Sequence, residues 1–298
     1  MRGLLAALAV TAGCNTVLGL DPVGTERDAD VDAPSDRDDD GVPDAIDRCP
    51  DLADPRQHDE DEDGVGDGCD NCPHLANPAQ ADALEGATHD GIGDACDPNP
   101  DALGDQVMWF DAFDDGELDP RWALSIGDAW VEADDALVQA TGTGLHILAA
   151  PGVTGQRLTA EVGLTITSSQ PNVQRGFDLG LDYTSEQSAV LCAWRNLAAV
   201  SSGDALVIEL RPVTAVTLGM ATAPAIVESS QRIRARRTLT GTVAGVRCEL
   251  VDRTNLGAGT TVVPGGLAFR VTNLGVRVEY LMVYDRLTSA VSAATTAD

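Results

Sequence analysis

Aspartates recur around a glycine at a fixed spacing in two stretches of the N-terminal third, a pattern that could hold a metal ion. The first stretch carries Asp36, Asp38, Asp40, Gly41, Asp44 and Asp47, and the second carries Asp59, Asp61, Asp63, Gly64, Asp67 and Asp70. Counted from the first aspartate, carboxylates fall at positions 1, 3, 5, 9 and 12 and glycine falls at position 6. A twelve-residue calcium loop takes oxygen ligands at these positions and the backbone carbonyl at position 7, here Val42 or Val65. The spacing therefore predicts two calcium sites.

A third stretch keeps only part of this pattern. It carries Asp90, Gly91, Asp94 and Asp97. Its positions 1 and 3 would be Gly86 and Thr88, which have no carboxylate. The sequence predicts a weaker calcium site here and leaves its occupancy open.

Charge is the main obstacle to folding in this region. Residues 21–101 hold 4 arginines against 26 acidic residues, a net charge of −22 out of −29 for the whole chain, and no lysine occurs anywhere. Two like charges ~4 Å apart repel by roughly 4 kcal/mol at an effective dielectric constant near 20. We therefore expect the region to be ordered only when calcium is bound. The alternative is an acidic disordered tail, which the in-phase glycines, the apolar residue after each glycine and the interleaved cysteines oppose.

Other metals suit these residues less well. Magnesium demands near-ideal octahedral geometry and keeps its waters. Zinc would use histidine and cysteine, and the region contains His58, His74, His89 and the pair Cys69 and Cys72. We expect the histidines to be exposed loop residues and the cysteines to form disulfides.

The first residues are typical of an export signal. Arg2 precedes the apolar run Leu4–Val10, which is too short to span a bilayer as a permanent helix. The segment Thr11-Ala12-Gly13-Cys14 resembles the lipobox of bacterial lipoproteins, although leucine is commoner in the place of Thr11. The resemblance implies that residues 1–13 are a lipoprotein signal peptide and that Cys14 is lipidated, so the protein would be anchored on the bacterial cell envelope. An ordinary secretory signal is the alternative, and it also predicts export.

Spacing, cysteines and linker agree together over residues 36–101. Asp36 to Cys49 is followed by Pro50, Cys69 lies inside the second loop, and the linker Cys72 to Asp82 contains Asn-Pro and Gln. These features resemble the long form, the short form and the inter-loop linker of thrombospondin type 3 repeats. In that family the repeats wrap around a row of calcium ions. The resemblance implies two full calcium-binding units and a third that the insertion Ala83 to His89 degrades.

Seven cysteines occur in the chain. With Cys14 lipidated, six are left, and the resemblance implies sequential pairing of Cys49 with Cys69 and of Cys72 with Cys96. Each bridge would contribute roughly 3 kcal/mol in the chain-entropy model. Cys192 and Cys248 would pair inside the C-terminal domain. The sequence leaves this connectivity open.

The rest of the chain has the pattern of one all-β domain over residues 105–286. Short alternating or apolar runs recur between Gly, Pro, Asp and Asn, and no convincing amphipathic helix occurs. The predicted strands are Val107–Phe113, Ala136–Ala140, Leu145–Ala149, Arg157–Ile166, Gly176–Tyr183, Ala189–Arg195, Ala205–Leu210, Val213–Met220, Arg232–Leu239, Gly245–Val251, Leu267–Val271 and Val276–Val283. This number of strands predicts a two-sheet sandwich. Residues 14–35 are predicted to be a disordered acidic tether and residues 287–298 a disordered tail.

Both ends of this domain carry motifs. The opening stretch runs from Trp109 to Trp122, and the closing stretches are Gly265–Val271 and Val278–Asp285. They resemble the first and last strands of bacterial concanavalin A-like sandwiches, the lectin, glucanase and laminin G-like domains. The resemblance implies a jelly-roll β-sandwich, and it leaves function open because one fold hosts many functions.

Candidate catalytic groups are sparse. A retaining glycosidase needs two carboxylates about 5–5.5 Å apart, and Glu117 with Asp119 has a suitable spacing but lies in a predicted turn. Asp134 and Asp135 lie in a loop, and His146 lies inside an apolar strand, where we expect it to be a packed residue. The sequence contains no recognisable catalytic constellation and no nucleotide-binding motif.

One basic patch is present, made of Arg232, Arg234, Arg236 and Arg237. Alternation along a strand predicts that it is a solvated face, and the alternative is a site for an acidic polysaccharide or a neighbouring protein. From residue 102 onward the net charge is −8, which disfavours nucleic acid as a partner.

These features predict a surface-anchored, calcium-stabilised lipoprotein with a binding or adhesion role. The repeats would act as a calcium-dependent spacer and the sandwich would present the ligand surface. The expected partners are calcium, a glycan or a cell-envelope protein, and the membrane through the lipid anchor alone. The alternatives are a secreted carbohydrate-active enzyme and a purely structural envelope spacer.

Overall fold

A computed structural model describes residues 35–127, 130–170, 173–196, 204–211, 216–223, 230–240, 243–251 and 253–286. It divides the chain into two compact units, residues 1–57 and 58–298. The predicted signal peptide, Cys14, all but the last residue of the tether, and the tail 287–298 lie outside the described residues. The described part of the chain contains no helix that is long and apolar enough to cross a membrane.

The described residues between 105 and 286 form fifteen strands. They are β1 (Asp105–Asp111), β2 (Leu124–Ile126), β3 (Val131–Glu132), β4 (Leu137–Gln139), β5 (Leu145–Ala150), β6 (Arg157–Ser169), β7 (Arg175–Ser185), β8 (Ser188–Asn196), β9 (Asp204–Arg211), β10 (Val216–Ala223), β11 (Ser230–Thr240), β12 (Val243–Leu250), β13 (Thr254–Thr261), β14 (Gly266–Thr272) and β15 (Leu274–Arg286). Over the described residues no α-helix occurs.

The strands form two antiparallel sheets. The larger sheet has the order β13-β12-β11-β6-β15-β4-β3, with β1 also paired to β15, and the smaller sheet has the order β10-β9-β8-β7-β14-β5-β2. This arrangement confirms the predicted all-β, jelly-roll sandwich. A disulfide between Cys192 of β8 and Cys248 of β12 joins the two sheets.

The inner faces of the two sheets share one hydrophobic core. Successive side chains of a strand point to opposite faces, so alternate residues of β6, such as Val162 and Leu164, are fully buried against Phe177 and Leu179 of β7. Burial of each such side chain contributes roughly 1.5–3 kcal/mol. This core is what makes the sheets a rigid platform for the residues on their outer faces.

The remaining residues of β6, β11 and β15 form the outer face of the larger sheet. Three rows across these strands are Arg232, Gly163 and Tyr280; Arg234, Glu161 and Met282; and Arg236, Thr159 and Tyr284. We call this surface the outer face.

Part of the repeat segment packs directly on the outer face. Cys72, Ile92 and Cys96 form a small hydrophobic cluster with Tyr280, Met282 and Tyr284. All of these residues belong to the unit 58–298. Residues 58–104 therefore share a compact unit with the sandwich, and the division of the chain falls inside the predicted repeat segment.

Two strands were absent from the sequence prediction. β2 has three residues, too short to give a pattern. β13 has the sequence TNLGAGTT, whose glycines and small residues have low strand propensity, but it pairs with β12 along its full length. β10 is described from Val216 onward, and the predicted start at Val213 lies outside the described residues.

Candidate metal loops and the arginine face

Loop 1, residues 36–47, gathers its first three aspartates around one centre. Asp36, Asp38 and Asp40 each place a carboxylate oxygen within 4.8 Å of the others. Gly41 N donates a hydrogen bond to Asp36 Oδ2 at 3.1 Å, and its φ of 97° requires glycine. The turn at position 6 therefore forms as the spacing predicts.

Backbone donors then fix one oxygen of the other carboxylates of loop 1. Asp40 N donates to Asp38 Oδ1 at 3.2 Å, and Cys49 N donates to Asp47 Oδ1 at 2.8 Å. Arg37 N donates to Asp44 Oδ1 at 2.9 Å. These bonds use only one oxygen of Asp38 and of Asp47, whereas the second oxygen of Asp44 pairs with Arg37 Nε at 3.2 Å.

Loop 2, residues 59–70, repeats the same frame. The equivalent bonds run from Gly64 N to Asp59 Oδ2 (3.1 Å), Asp63 N to Asp61 Oδ1 (3.1 Å), Val65 N to Asp63 Oδ1 (2.8 Å), Glu60 N to Asp67 Oδ1 (3.0 Å) and Cys72 N to Asp70 Oδ1 (2.6 Å). Gly64 also has a positive φ of 95°. Beyond the loop, Gln80 Nε2 donates to Asp70 Oδ1 at 2.7 Å, as Gln57 Nε2 does to Asp47 Oδ1 in loop 1.

The third loop starts earlier than the spacing predicts. The equivalent bonds run from Gly91 N to Asp82 Oδ2 (3.1 Å), Ile92 N to Asp90 Oδ1 (3.2 Å), Ala83 N to Asp94 Oδ1 (3.1 Å) and Asn99 N to Asp97 Oδ1 (2.6 Å). Asp82 therefore has the place that Asp36 and Asp59 have in the other loops, and loop 3 comprises residues 82–97. Gly86 and Thr88 do not have the places of positions 1 and 3, because the insertion leaves the frame between Asp82 and Asp90.

The insertion also supplies a carboxylate that the sequence interpretation missed. Glu85 places an oxygen within 4.8 Å of oxygens of Asp90 and Asp97. A second group within 4.8 Å joins Asp82, Glu85 and His89. One signal could have revealed Asp82: it follows Gln80 by two residues, as Asp59 follows Gln57.

The three loops leave carboxylate oxygens without a hydrogen-bond donor. These buried oxygens are Asp36 Oδ1, Asp38 Oδ2, Asp47 Oδ2, Asp61 Oδ2, Asp70 Oδ2, Asp82 Oδ1 and both oxygens of Glu85. A buried polar atom with no partner costs free energy, and a hard cation is the partner that several converging carboxylates suit. The acidic groups of the loops can therefore hold a metal ion, and a donor set dominated by carboxylate oxygens fits calcium.

Desolvation and neighbouring carboxylates raise the pKa of Asp61 and of Asp97. Desolvation, followed by repulsion from Asp63 and Asp70, raises the pKa of Asp61 to about 6. Desolvation, together with Asp105 and Asp90, raises the pKa of Asp97 to about 7. In the absence of a cation, the loops thus resist full ionisation near neutral pH.

Disulfide bonds cross-link the repeat segment. Cys72 and Cys96 form the predicted bridge, with an S–S distance of 2.10 Å, which ties the end of loop 2 to the end of loop 3. Cys49 and Cys69 are each disulfide-bonded as well.

The expectation that all three histidines are exposed is wrong for His74. This residue is 6% exposed and its ring packs against Tyr280 at 4.9 Å between centroids. Its Nε2 lies 3.8 Å from Glu161 Oε1, and burial lowers the pKa of His74 to about 4. The reason is the packing of residues 58–104 on the outer face. His58 pairs with Asp114 at 2.7 Å, and His89 is exposed.

The basic patch on β11 is only partly a solvated face. Arg234 Nε contacts Glu161 Oε2 at 2.5 Å and Arg232 Nη1 lies 3.5 Å from Oε1 of the same fully buried carboxylate. Although burial alone would raise it, Arg234, His74 and Arg232 hold the pKa of Glu161 below its usual value.

The fourth arginine of the patch points the other way. Arg237 is 1% exposed and pairs with Asp182 at 3.0 Å, so the prediction of a solvated side chain is wrong at this position. Alternation explains it, because Arg237 follows Ile233 and Ala235 on the inner face of the sheet.

The carboxylates and the histidine considered for catalysis do not form a constellation. Glu117 lies in a bend, Asp119 lies just before a turn, and Asp134 and Asp135 lie in an exposed bend. His146 is 3% exposed within β5, and its Nε2 is 2.7 Å from the carbonyl oxygen of Thr143.

Comparison with known families and structures agrees with part of this picture. Residues 57–80 match the family model of the thrombospondin type 3 repeat, which confirms that predicted resemblance. No curated protein sequence matches the chain.

Similar solved structures include a carbohydrate-binding module and a lectin. A carbohydrate-binding module, CBM66, from Bacillus subtilis has 13% identity and a TM-score of 0.42, and the match covers 52% of this chain and 91% of that one. Winged bean acidic lectin has 10% identity and a TM-score of 0.44, and the match covers 62% and 99%. A GH43 protein from Bacillus licheniformis has 15% identity and a TM-score of 0.43, and the match covers 61% and 40%.

Proposed function

We propose that the protein is a calcium-stabilised binding protein of the bacterial cell surface. Loops 1, 2 and 3 each bind calcium, and the sandwich presents the surface that binds the ligand. The observation that carries the proposal is the hydrogen-bond frame that recurs in three loops. It fixes one carboxylate oxygen on a backbone N–H and leaves the other without a donor in six aspartates: Asp36, Asp38, Asp47, Asp61, Asp70 and Asp82.

Positions 1, 3 and 12 of the loops provide the ligand oxygens. In loop 1 these are Asp36, Asp38 and Asp47, each of which has one bonded and one unpartnered oxygen. Loop 2 uses Asp61 and Asp70 in the same way. Calcium, when bound, supplies the positive charge that the region lacks. Extracellular calcium modules bind with dissociation constants of about 10⁻⁴ to 10⁻³ M, so these loops respond to millimolar calcium.

Loop 3 uses a modified set. Asp82 provides the oxygen of position 1. Glu85 replaces the missing carboxylate of position 3, since one of its oxygens lies within 4.8 Å of oxygens of Asp90 and Asp97. Asp97 provides the oxygen of position 12, as Asp47 does in loop 1. The protein therefore binds three calcium ions rather than two.

The location at the cell surface rests on the N-terminal sequence. Thr11-Ala12-Gly13-Cys14 is similar to a lipobox, and three disulfides suit an oxidising compartment. Mass measurement of the protein purified from membranes tests this part of the proposal. A diacylated or triacylated Cys14 at the N-terminus is expected. A mature chain that begins beyond Cys14 and carries no lipid would contradict the proposed anchor.

A polar depression on the outer face supports a ligand-binding role for the sandwich. It has a volume of about 320 Å³ and is lined by Ser230, Gln231, Arg232, Arg253, Glu279 and Tyr280 above Gly163. Hydroxyl, amide and charged groups are suited to the hydroxyl groups of a sugar. A glycan is therefore the proposed ligand class.

Calorimetric titration of calcium into the full mature chain tests the calcium sites. Asp61→Asn removes a ligand oxygen of loop 2, and we expect the loss of one binding event or at least a tenfold weaker one. Glu62→Gln is the matched control, because Glu62 is exposed in the same loop. Equal binding by the two variants would contradict the role of loop 2. A glycan array probed with and without calcium then tests the ligand class.

A further inference from the structure

Four arginines line a second, smaller pocket near the exit of loop 3, and one of them, Arg237, is the residue already paired with Asp182. Arg157, Arg236 and Arg286 line it together with Asn99, Thr159 and Thr238, and its volume is about 140 Å³. The residues that line it include no Asp or Glu, in a chain with 48 acidic residues and a net charge of −29. We call it the arginine pocket.

Strand register explains why these arginines converge. Arg236 of β11 lies opposite Thr159 of β6, and Arg157 of β6 lies opposite Thr238 of β11. Tyr284 of β15 also lies opposite Thr159, so Arg286, two residues further on, reaches the same end of the outer face. Asn99 closes the pocket from the segment that follows loop 3.

The guanidinium groups are held in place mainly by neutral partners. Arg236 Nη1 donates to the carbonyl oxygen of Pro98 at 2.9 Å, and Arg286 Nη2 donates to the carbonyl oxygens of Ala102 and Leu103 at 2.9 and 3.2 Å. Carbonyl acceptors orient a guanidinium without cancelling its charge. The pocket therefore keeps a net positive charge.

Several donors of the pocket are unused. Arg236 Nε is buried and has no hydrogen-bond partner, and the side-chain nitrogens of Arg157 make no hydrogen bond or ion pair with a described residue. A buried donor without a partner is costly, and an oxyanion would satisfy both side chains at once.

The nearest carboxylates are engaged elsewhere. Glu249 lies 4.0 Å from Arg236 Nη2 but also 3.8 Å from Arg234. Asp285 accepts a hydrogen bond from Arg157 N at 2.8 Å, and Asp105 accepts one from Asn99 at 2.8 Å. Burial, with Arg234 and Arg247, lowers the pKa of Arg236. A bound anion would relieve this repulsion.

We infer that the arginine pocket binds an oxyanion substituent of an anionic glycan, such as a sulfate or carboxylate group. A cavity of about 140 Å³ has room for roughly four or five waters at ~30 Å³ each, which suits one such group but not an oligosaccharide. This inference rests on the proposed role of the sandwich in binding and adds the chemical class of its ligand.

Binding of sulfate to the calcium-loaded full chain tests the inference. Sulfate is used because phosphate precipitates calcium. Arg157→Gln is the main variant, because this exposed side chain has no protein partner to lose. We expect it to weaken sulfate binding about tenfold, the loss of one charge-assisted hydrogen bond. Arg121→Gln is the matched control, since Arg121 is exposed and lines neither this pocket nor the polar depression.

A second arm separates a free anion from a glycan substituent. Dextran sulfate should bind more tightly than sulfate and lose about the same factor in Arg157→Gln, whereas neutral dextran of the same length should not bind. If sulfate binds but dextran sulfate binds no better, the pocket takes a free anion and the glycan assignment is overturned. Absent binding of both probes, or equal binding by Arg157→Gln and the parent chain, overturns the pocket itself. A neutral glycan found on the array and unaffected by Arg157→Gln would leave the proposed function intact.

Discussion

At position 1 of loops 1 and 3, one backbone N–H binds one carboxylate oxygen and the other oxygen has no donor. Gly41 N binds Asp36 Oδ2 and leaves Oδ1 without a donor, and Gly91 N does the same for Asp82. Backbone hydrogen bonds, rather than side-chain packing, therefore orient these carboxylate groups. This suits a segment with little hydrophobic core. Removal of one carboxylate should consequently affect one ion and leave the fold of the other loops unchanged.

Asp82→Asn and Glu85→Gln test the revised boundary of loop 3. We expect each variant to bind two calcium ions instead of three, because each removes an oxygen that only loop 3 uses. Native mass spectrometry of the calcium-loaded chain counts the ions. Glu186→Gln changes an exposed glutamate in the turn between β7 and β8 and should keep three. Three ions in the loop 3 variants would show that Asp82 and Glu85 are not ligands.

The glycine of loop 2 gives a test that does not touch a carboxylate. Gly64→Ala adds a Cβ that meets no atom within 4 Å, but Gly64 has a φ of 95°, and a left-handed backbone costs an L-residue roughly 1–2 kcal/mol. We expect weaker calcium binding by about tenfold. Gly245→Ala, where a Cβ also meets nothing within 4 Å and no positive φ occurs, should leave calcium affinity unchanged. An equal effect of the two substitutions on calcium affinity would contradict the role of the turn.

Sequence reasoning succeeded where the chemistry depends on fixed spacing. It predicted the turns of loops 1 and 2 because every carboxylate lies at a constant offset from the glycine. It missed Asp82 and Glu85 because an insertion breaks that offset while the hydrogen bonds persist. It misplaced His74 and Arg237 because burial of a polar side chain depends on the partner that covers it, here Tyr280 and Asp182.

At the scale of the elements, loops 2 and 3 are joined to the sandwich by a small apolar cluster. Ile92, Cys72 and Cys96 meet Tyr280, Met282 and Tyr284 of β15. Tyr280 in turn donates a hydrogen bond to Glu161 at 3.0 Å. A description of residues 58–104 as a free spacer does not fit this packing, because the segment has one face against a sheet.

Ile92→Ala tests the docking of the loops on β15. Ile92 is 2% exposed, and truncation of a buried isoleucine costs about 2–5 kcal/mol. Ile46→Ala is the control, since Ile46 is 73% exposed and a surface change stays within ~0.5 kcal/mol. Denaturant unfolding in calcium measures both. A loss in Ile92→Ala no larger than in Ile46→Ala would contradict the packing.

The strands show which elements a sequence can predict. Alternation of apolar and polar residues located β6, β7, β8 and β11 because each buries one whole face in the sandwich. β13 was missed because its pairing with β12 comes from backbone hydrogen bonds. Its glycine-rich sequence has no apolar alternation that would predict a strand. The packing of the loops on the outer face could not be predicted from local sequence patterns, because it joins segments almost 200 residues apart.

At the scale of the whole molecule, the charge of −29 sets the dependence of stability on calcium and on pH. The acidic residues are concentrated in the loops, where Asp61 and Asp97 have raised pKa values. A cation and a proton therefore compete for the same oxygens.

Stability should change with pH in opposite directions with and without calcium. Between pH 3.8 and about 7 the calcium-free folded chain keeps protons on Asp61 (pKa about 6) and Asp97 (pKa about 7) that the unfolded chain has released. The free energy of unfolding therefore falls as pH rises through this window. With calcium in excess it should rise, because calcium binds the ionised form. Thermal unfolding of metal-free and calcium-loaded samples measures this, and parallel pH profiles would contradict it.

Tryptic cleavage in the repeat segment tests the central claim most directly. Arg48 and Arg56 are the cleavage sites that follow loop 1, and the chain has no lysine to complicate the pattern. We predict that millimolar calcium slows cleavage at both arginines at least tenfold relative to metal-free protein, after correction with an unstructured arginine peptide for the effect of calcium on trypsin. Equal rates at Arg48 and Arg56 with and without calcium would contradict the claim that calcium orders the acidic loops.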